Sequence, residues 1–173
     1  MLDNILLLPT GNEIRDGVVL DTDCPMLMQE LITYNSCCQV KRLSPVNDTK
    51  EELEQAFVQH VDPKVDLVIF IGGSGEGHKY SPVLGRDCTH LVIEELLHHT
   101  VSTALYGKNG HMWSKLVCGY YGPSLVVNVP GPYKEAQAAV RALLHVFELQ
   151  QDPAVQDINQ AMAEAVRKQY LVS

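Results

Sequence analysis

Apolar positions in this chain fall into short continuous runs separated by stretches with helical spacing. Asn4 to Pro9 (N-I-L-L-L-P) is too short and too evenly apolar for an amphipathic helix, so it reads as a buried strand. The T-G-N-E-I-R-D-G that follows carries too much glycine and charge to continue it. Asp23 and Pro25 suit the cap and first turn of a helix through Met26, Leu27, Leu31 and Ile32. Cys38 to Leu43 is a second candidate strand. Asn47 to Thr49 caps a helix from Glu51 to Val61, with Leu53, Ala56 and Phe57 on its inner face. Val65 to Ile71 is apolar on both faces, as a central parallel strand must be, and it stops at Gly72 and Gly73. Thr89 to His98 reads as a helix and Leu125 to Val129 as a strand ended by Pro130 and Gly131. Helices follow over Glu135 to Leu149 and from Asp152 and Pro153 to about Tyr170.

Strands alternating with helices predict an α/β fold, a three-layer sandwich with a mostly parallel central sheet. Residues 1–150 are expected to form the domain and residues 151–173 a helical extension of it. In that tail Val155, Ile158, Met162, Val166 and Tyr170 recur at helical spacing. Their apolar face needs burial, against its own domain or against a neighbour. Ligands of such folds bind beyond the carboxyl ends of the strands. Four segments lie there: Thr10 to Thr22, Ser44 to Asp48, Gly72 to Thr89, and Pro130 to Lys134.

Composition narrows the range of partners. With 46% hydrophobic and 20% charged residues, 173 residues can bury one core. Basic residues number 13 and acidic ones 21, a net charge of -8. That excludes a global basic face for nucleic acid but leaves room for a local anion site. The five cysteines are odd in number and form no C-x-x-C pair, so neither a disulfide framework nor a thiolate zinc site is indicated. Apolar runs of five or six residues are too short for a membrane span, and no basic leader precedes them. A cytoplasmic protein without a membrane partner is expected.

Several segments can carry chemistry. Gly72-Gly73-Ser74-Gly75-Glu76-Gly77 follows a buried strand, and its amides can turn inward as an anion nest or simply turn the chain. It lacks the G-K-[ST] of a P-loop and the spacing of G-x-G-x-x-G. In Arg86-Asp87-Cys88-Thr89, Asp87 or Thr89 can cap the next helix, or Asp87 can hold a magnesium ion that bridges to phosphate. Asp48 is open to the same two readings. Asn128-Val129-Pro130-Gly131-Pro132 either closes over a ligand or turns the chain. His90, Glu94 and His98 share one helix face, which suits a solvated face better than zinc. Trp113, Tyr120 and Tyr121 can stack on a planar ring or fill a core or interface.

Taken together, these segments resemble the molybdopterin-binding domain shared by molybdopterin adenylyltransferases and the molybdenum insertase. Ile69-Phe70-Ile71-Gly72-Gly73-Ser74-Gly75, followed by Arg86-Asp87-Cys88-Thr89, is similar to the family's strand, G-G-T-G and R-D-x-T. Gly17 through Asp21 to Pro25 and Leu27 resembles G-x-x-x-D-x-x-x-P-x-L, and Pro45 to Asp48 resembles the V-P-D turn. Ser114-Lys115 stands for S-R, and Asn128-Val129-Pro130-Gly131 for N-x-P-G. The chain departs in its longer loop from Glu76 to Gly85, in Lys115 for Arg, and in lacking P-G-x-x-E-x-M-R.

The resemblance implies molybdenum or tungsten cofactor biosynthesis, with a homotrimer that adenylylates molybdopterin using ATP and Mg2+. It implies Asp48 and Asp87 as catalytic, magnesium-holding residues. Gly72, Gly73, Ser74, Gly75, Arg86, Thr89, Ser114, Lys115, Asn128, Pro130 and Gly131 would bind the pterin and nucleotide substrates. A non-catalytic pterin or nucleotide-binding module is the alternative, as is a nucleotide hydrolase of the competence-damage-related branch, which Thr10 to Ile14 also resembles.

Overall fold

The computed structural model describes residues 2–76 and 87–170. Gly77 to Arg86, and with them most of the long loop, lie outside the described residues. In chain order the elements are β1 (Asn4–Pro9), α1 (Asn12–Arg15), α2 (Asp23–Tyr34), β2 (Gln39–Arg42), α3 (Lys50–His60) and β3 (Leu67–Ile71). They continue with α4 (Thr89–Leu96), β4 (Thr100–Tyr106), β5 (Met112–Tyr121), β6 (Ser124–Val129), α5 (Tyr133–Leu149) and α6 (Val155–Tyr170).

One six-stranded sheet has the order β2-β1-β3-β6-β5-β4. β2, β1, β3 and β6 pair in parallel, while β5 runs antiparallel to both β6 and β4. The expected mostly parallel sheet is present, together with a hairpin, β4–β5, that was not expected. β1, β3 and β6 alternate their side chains between two cores, as the pleat requires. Ile5, Leu7, Leu67, Ile69, Leu125 and Val127 face α2, α5 and α6, while Leu6, Leu8, Val68, Phe70 and Val126 face α3 and α4. Three layers result, and they explain why β3 is apolar at every position.

Local chemistry sets the helix starts. Thr49 caps α3 by accepting the Glu52 N–H at 3.4 Å, while the Glu52 carboxylate reaches back to the Asn47 N–H at 3.1 Å. At α2 the cap comes from Asp21, whose Oδ1 accepts the Cys24 N–H at 3.0 Å; Asp23 is instead the first helical residue. The apolar face of the tail is settled within the chain. Ile158, Met162 and Val166 of α6 are fully buried in the core shared with α5 and β5.

Candidate functional site

β1 and β3 end side by side, and the backbone pairing continues past both. Thr10 N–H donates to Ile71 O at 2.9 Å, Gly11 N–H to Val46 O at 3.0 Å, and Gly72 N–H to Val129 O at 3.1 Å. These bonds bring the ends of β1, β3 and β6 to the floor of one open cleft of about 870 Å³. All four strand-end segments contribute to its lining: the first through residues between Thr10 and Val19, the second through Asp48, the third through Gly72, Gly73, Gly75, Glu76 and Asp87, and the fourth through Gly131. Trp113 from the start of β5 completes it.

Gly72 and Gly73 adopt φ of 95° and 61°, the left-handed region that side chains with a Cβ avoid. At Gly73 a Cβ would stand 2.7 Å from Asp48 Oδ2 and press on the Thr89 hydroxyl. Only glycine therefore lets the segment turn across the buried Asp48, which is 5% exposed. Asp48 does not cap the helix that follows it in sequence. Its Oδ1 accepts the Thr89 hydroxyl at 2.9 Å and the Cys88 N–H at 3.2 Å, so its carboxylate sits on the N-terminus of α4. There the exposed amides and the helix dipole favour negative charge. Thr89 Oγ1 also lies 3.3 Å from Thr10 Oγ1, a contact that packs the start of α4 against the end of β1.

Other candidates serve the frame. Ser114 is fully buried and donates to Ser74 Oγ at 2.9 Å, and the Lys115 N–H donates to Ser74 O at 2.7 Å. Those two bonds fix the glycine segment to β5. Lys115 Nζ is paired with Glu94 at 2.7 Å and is not among the residues lining the cleft. Asn128 accepts the Val117 N–H at 2.6 Å and donates to Lys115 O at 2.9 Å, so both ends of its amide brace β6 to β5. Pro130 is buried, and Gly131 alone of that turn reaches the cleft. Arg86 lies outside the described residues. His90 is buried with Nδ1 3.4 Å from Gly73 O, and burial holds its pKa below the ordinary imidazole value. His98 falls beyond the end of α4, so the three-residue helix face does not form.

The sequence marks Thr10 to Thr22 as a strand-end segment and Trp113 as a ring that can stack, but it gives Asn12, Glu13, Asp16, Val18, Val19 and Trp113 no individual place in the site, and all six line the cleft. The described lining is acidic, with Glu13, Asp16, Asp48, Glu76 and Asp87 and no Lys or Arg. Carboxylate and hydroxyl oxygens are donors that fit a hard cation such as magnesium. Among the described residues no group of three or more His, Cys, Asp or Glu comes together as a metal cage. A cation would thus depend on a ligand's oxygens as well.

The chain is similar in fold to MoaB, a molybdopterin biosynthesis enzyme of Thermus thermophilus, with a TM-score of 0.64, 20% identity and 95% and 96% of the two chains covered. CinA, a protein of unknown function from Thermoplasma acidophilum, superposes with a TM-score of 0.62 and 18% identity over 82% of this chain and 95% of that one. A molybdopterin biosynthesis protein of Mycobacterium abscessus gives 0.59 and 22% over 100% and 98%. In sequence, a CinA-like protein of Anaeromyxobacter dehalogenans is 35% identical over 69 residues, 40% of this chain and 16% of that protein's length. No helix among the described residues is long and apolar enough to cross a membrane. Residues 6–151 match the family described as "Probable molybdopterin binding domain". That span takes in every residue lining the cleft, and the chain belongs to this molybdopterin-binding domain family.

Proposed function

We propose that the chain adenylylates molybdopterin from ATP in molybdenum or tungsten cofactor biosynthesis. The observation that carries this reading is the pair of left-handed glycines, Gly72 and Gly73, turning beside buried Asp48, with Asp87 lining the same cleft. A phosphate oxygen of molybdopterin attacks the α-phosphorus of ATP. The bond from that phosphorus to the bridging oxygen breaks, and pyrophosphate leaves with the electron pair. No covalent intermediate on the protein is needed. What the protein supplies is alignment of the two phosphates and, from the backbone amides of the glycine segment, hydrogen-bond donors for the charge that builds up. The amides of the glycine segment would hold a phosphate, and Asp48 and Asp87 would hold Mg2+. Magnesium, when bound, offsets the repulsion between phosphates and carboxylates.

A nucleotide hydrolase is the second reading. It is favoured by the CinA-like match, which is the stronger one in sequence, and by the engagement of Lys115 with Glu94 rather than with the cleft. Purified protein, molybdopterin and ATP labelled on the α-phosphate separate the readings. Label transferred to the pterin only with magnesium and acceptor present is the expected result. Labelled AMP formed without acceptor would replace transfer by hydrolysis. Binding without turnover would leave a carrier module.

A further inference from the structure

Trp113 is the chain's one tryptophan, and it lines the cleft 39% exposed. Such a ring open toward a cleft can present its face to a flat ligand. Its position is fixed from two sides. The Tyr170 ring of α6 lies behind it, centroid to centroid 4.0 Å and tilted by 37°. Tyr170 is itself held, its hydroxyl donating to Glu135 Oε2 of α5 at 2.6 Å. The Nε1–Cε2 edge of the indole lies against the β4–β5 turn. There a Cβ at Gly107 would lie 2.6 Å from Trp113 Cε2, so glycine lets the indole settle against the hairpin backbone. An indole braced in this way loses little freedom when a flat ligand lands on it.

We propose that Trp113 is the platform on which the planar nitrogen heterocycle of the cleft's ligand stacks, with Tyr170 as the positioning residue behind it. This rests on the reading of the cleft as a site for ring-bearing phosphates. The acidic lining supports the orientation: carboxylates repel an anionic group outside the glycine segment, whereas an uncharged ring is tolerated on the indole. Pterin and adenine share the chemistry required, a flat bicyclic face. Stacking of this kind accepts different bases, because every one has a π-face.

Because no other tryptophan is present, Trp113 emission reports the contact directly in the unaltered chain. The probes are ATP, a pterin carrying a phosphate monoester, and inorganic phosphate, each with magnesium, and calorimetry is run in parallel. Quenching by at least one ring-bearing probe, and none by inorganic phosphate, is expected; which probe quenches tells which ring stacks. Trp113→Ala should weaken that probe about tenfold, about 1.4 kcal/mol, and Trp113→Phe should restore most of it. Tyr170→Ala should lower affinity and shift the emission maximum, and Tyr170→Phe should recover both. Calorimetric binding of a ring-bearing probe with unchanged emission, or with full affinity in Trp113→Ala, overturns the platform and leaves the proposed function standing. No calorimetric binding of either ring-bearing probe overturns both. The titration of the unaltered chain decides the matter even if Trp113→Ala does not fold.

Discussion

Gly73 joins backbone conformation to site chemistry within one residue. Its φ of 61° would cost a substituted L residue about 1–2 kcal/mol, and the new Cβ would press on Asp48 and Thr89 as well. Gly73→Ala is therefore expected to lower stability by about 2 kcal/mol in urea melts and ligand affinity by at least tenfold. Full affinity in that mutant would reduce the segment to a turn. Asp87→Asn tests the metal proposal: adenylyl transfer should vanish while circular dichroism and pterin affinity persist, and a fully active mutant discards the assignment. Asp23 gives a pH signature. Burial first, and then the charge of Asp21, raises its pKa from 3.8 to about 6. The folded value lies above the unfolded one, so Asp23 favours folding only while protonated, and that advantage fades as pH climbs toward 6. Asp23→Asn should therefore raise stability by about 1 kcal/mol at pH 8, with the gain shrinking toward pH 4. An equal gain at both ends in thermal melts would discard this account.

Elements show where the sequence was legible and where it was not. β1, β3 and β6 are buried at nearly every position, so their apolar runs marked them, and the segments after them assembled into the cleft. β4 left no comparable mark. It forms the sheet's last strand, and only Leu105 along it is fully buried, so no hydrophobic period ran through Thr100 to Tyr106. Missing that hairpin meant missing why Ser114 and Lys115 face Ser74 and Glu94, and how Trp113 comes to the cleft. Asp48 was legible as a residue type in the right place. Its grip on α4 joins segments 40 residues apart, which no local pattern announces. Asn128 separates a structural from a binding role. Asn128→Ala would strand the Val117 N–H and the Lys115 carbonyl in the core, and should cost about 2–4 kcal/mol in chemical denaturation. Unchanged stability with lost ligand binding would return Asn128 to the ligand.

For the whole molecule, assembly is the property that resemblance alone suggests. A homotrimer is proposed, and sedimentation velocity at micromolar concentration should show a single trimeric species; a clean monomer rejects it. The apolar face of α6 is not the surface to be covered, since α5 and β5 already cover it.

The order of the sheet also has a consequence for biosynthesis. β1 lies between β2 and β3, and β3 waits for β6, which begins at Ser124. On the ribosome the first strands therefore emerge long before their sheet can close. Pairing of this non-local kind is slow and leaves apolar edges exposed meanwhile. β6 itself is flanked by β5 on its far side, so closure at the centre and growth of the hairpin meet on one strand. The nascent chain carries its glycine turn well before Gly131 is made to stand opposite it. The cleft is thus completed only once β6 is made, and a premature stop between β3 and β6 would leave β2, β1 and β3 as a three-stranded sheet with the β3 edge uncovered.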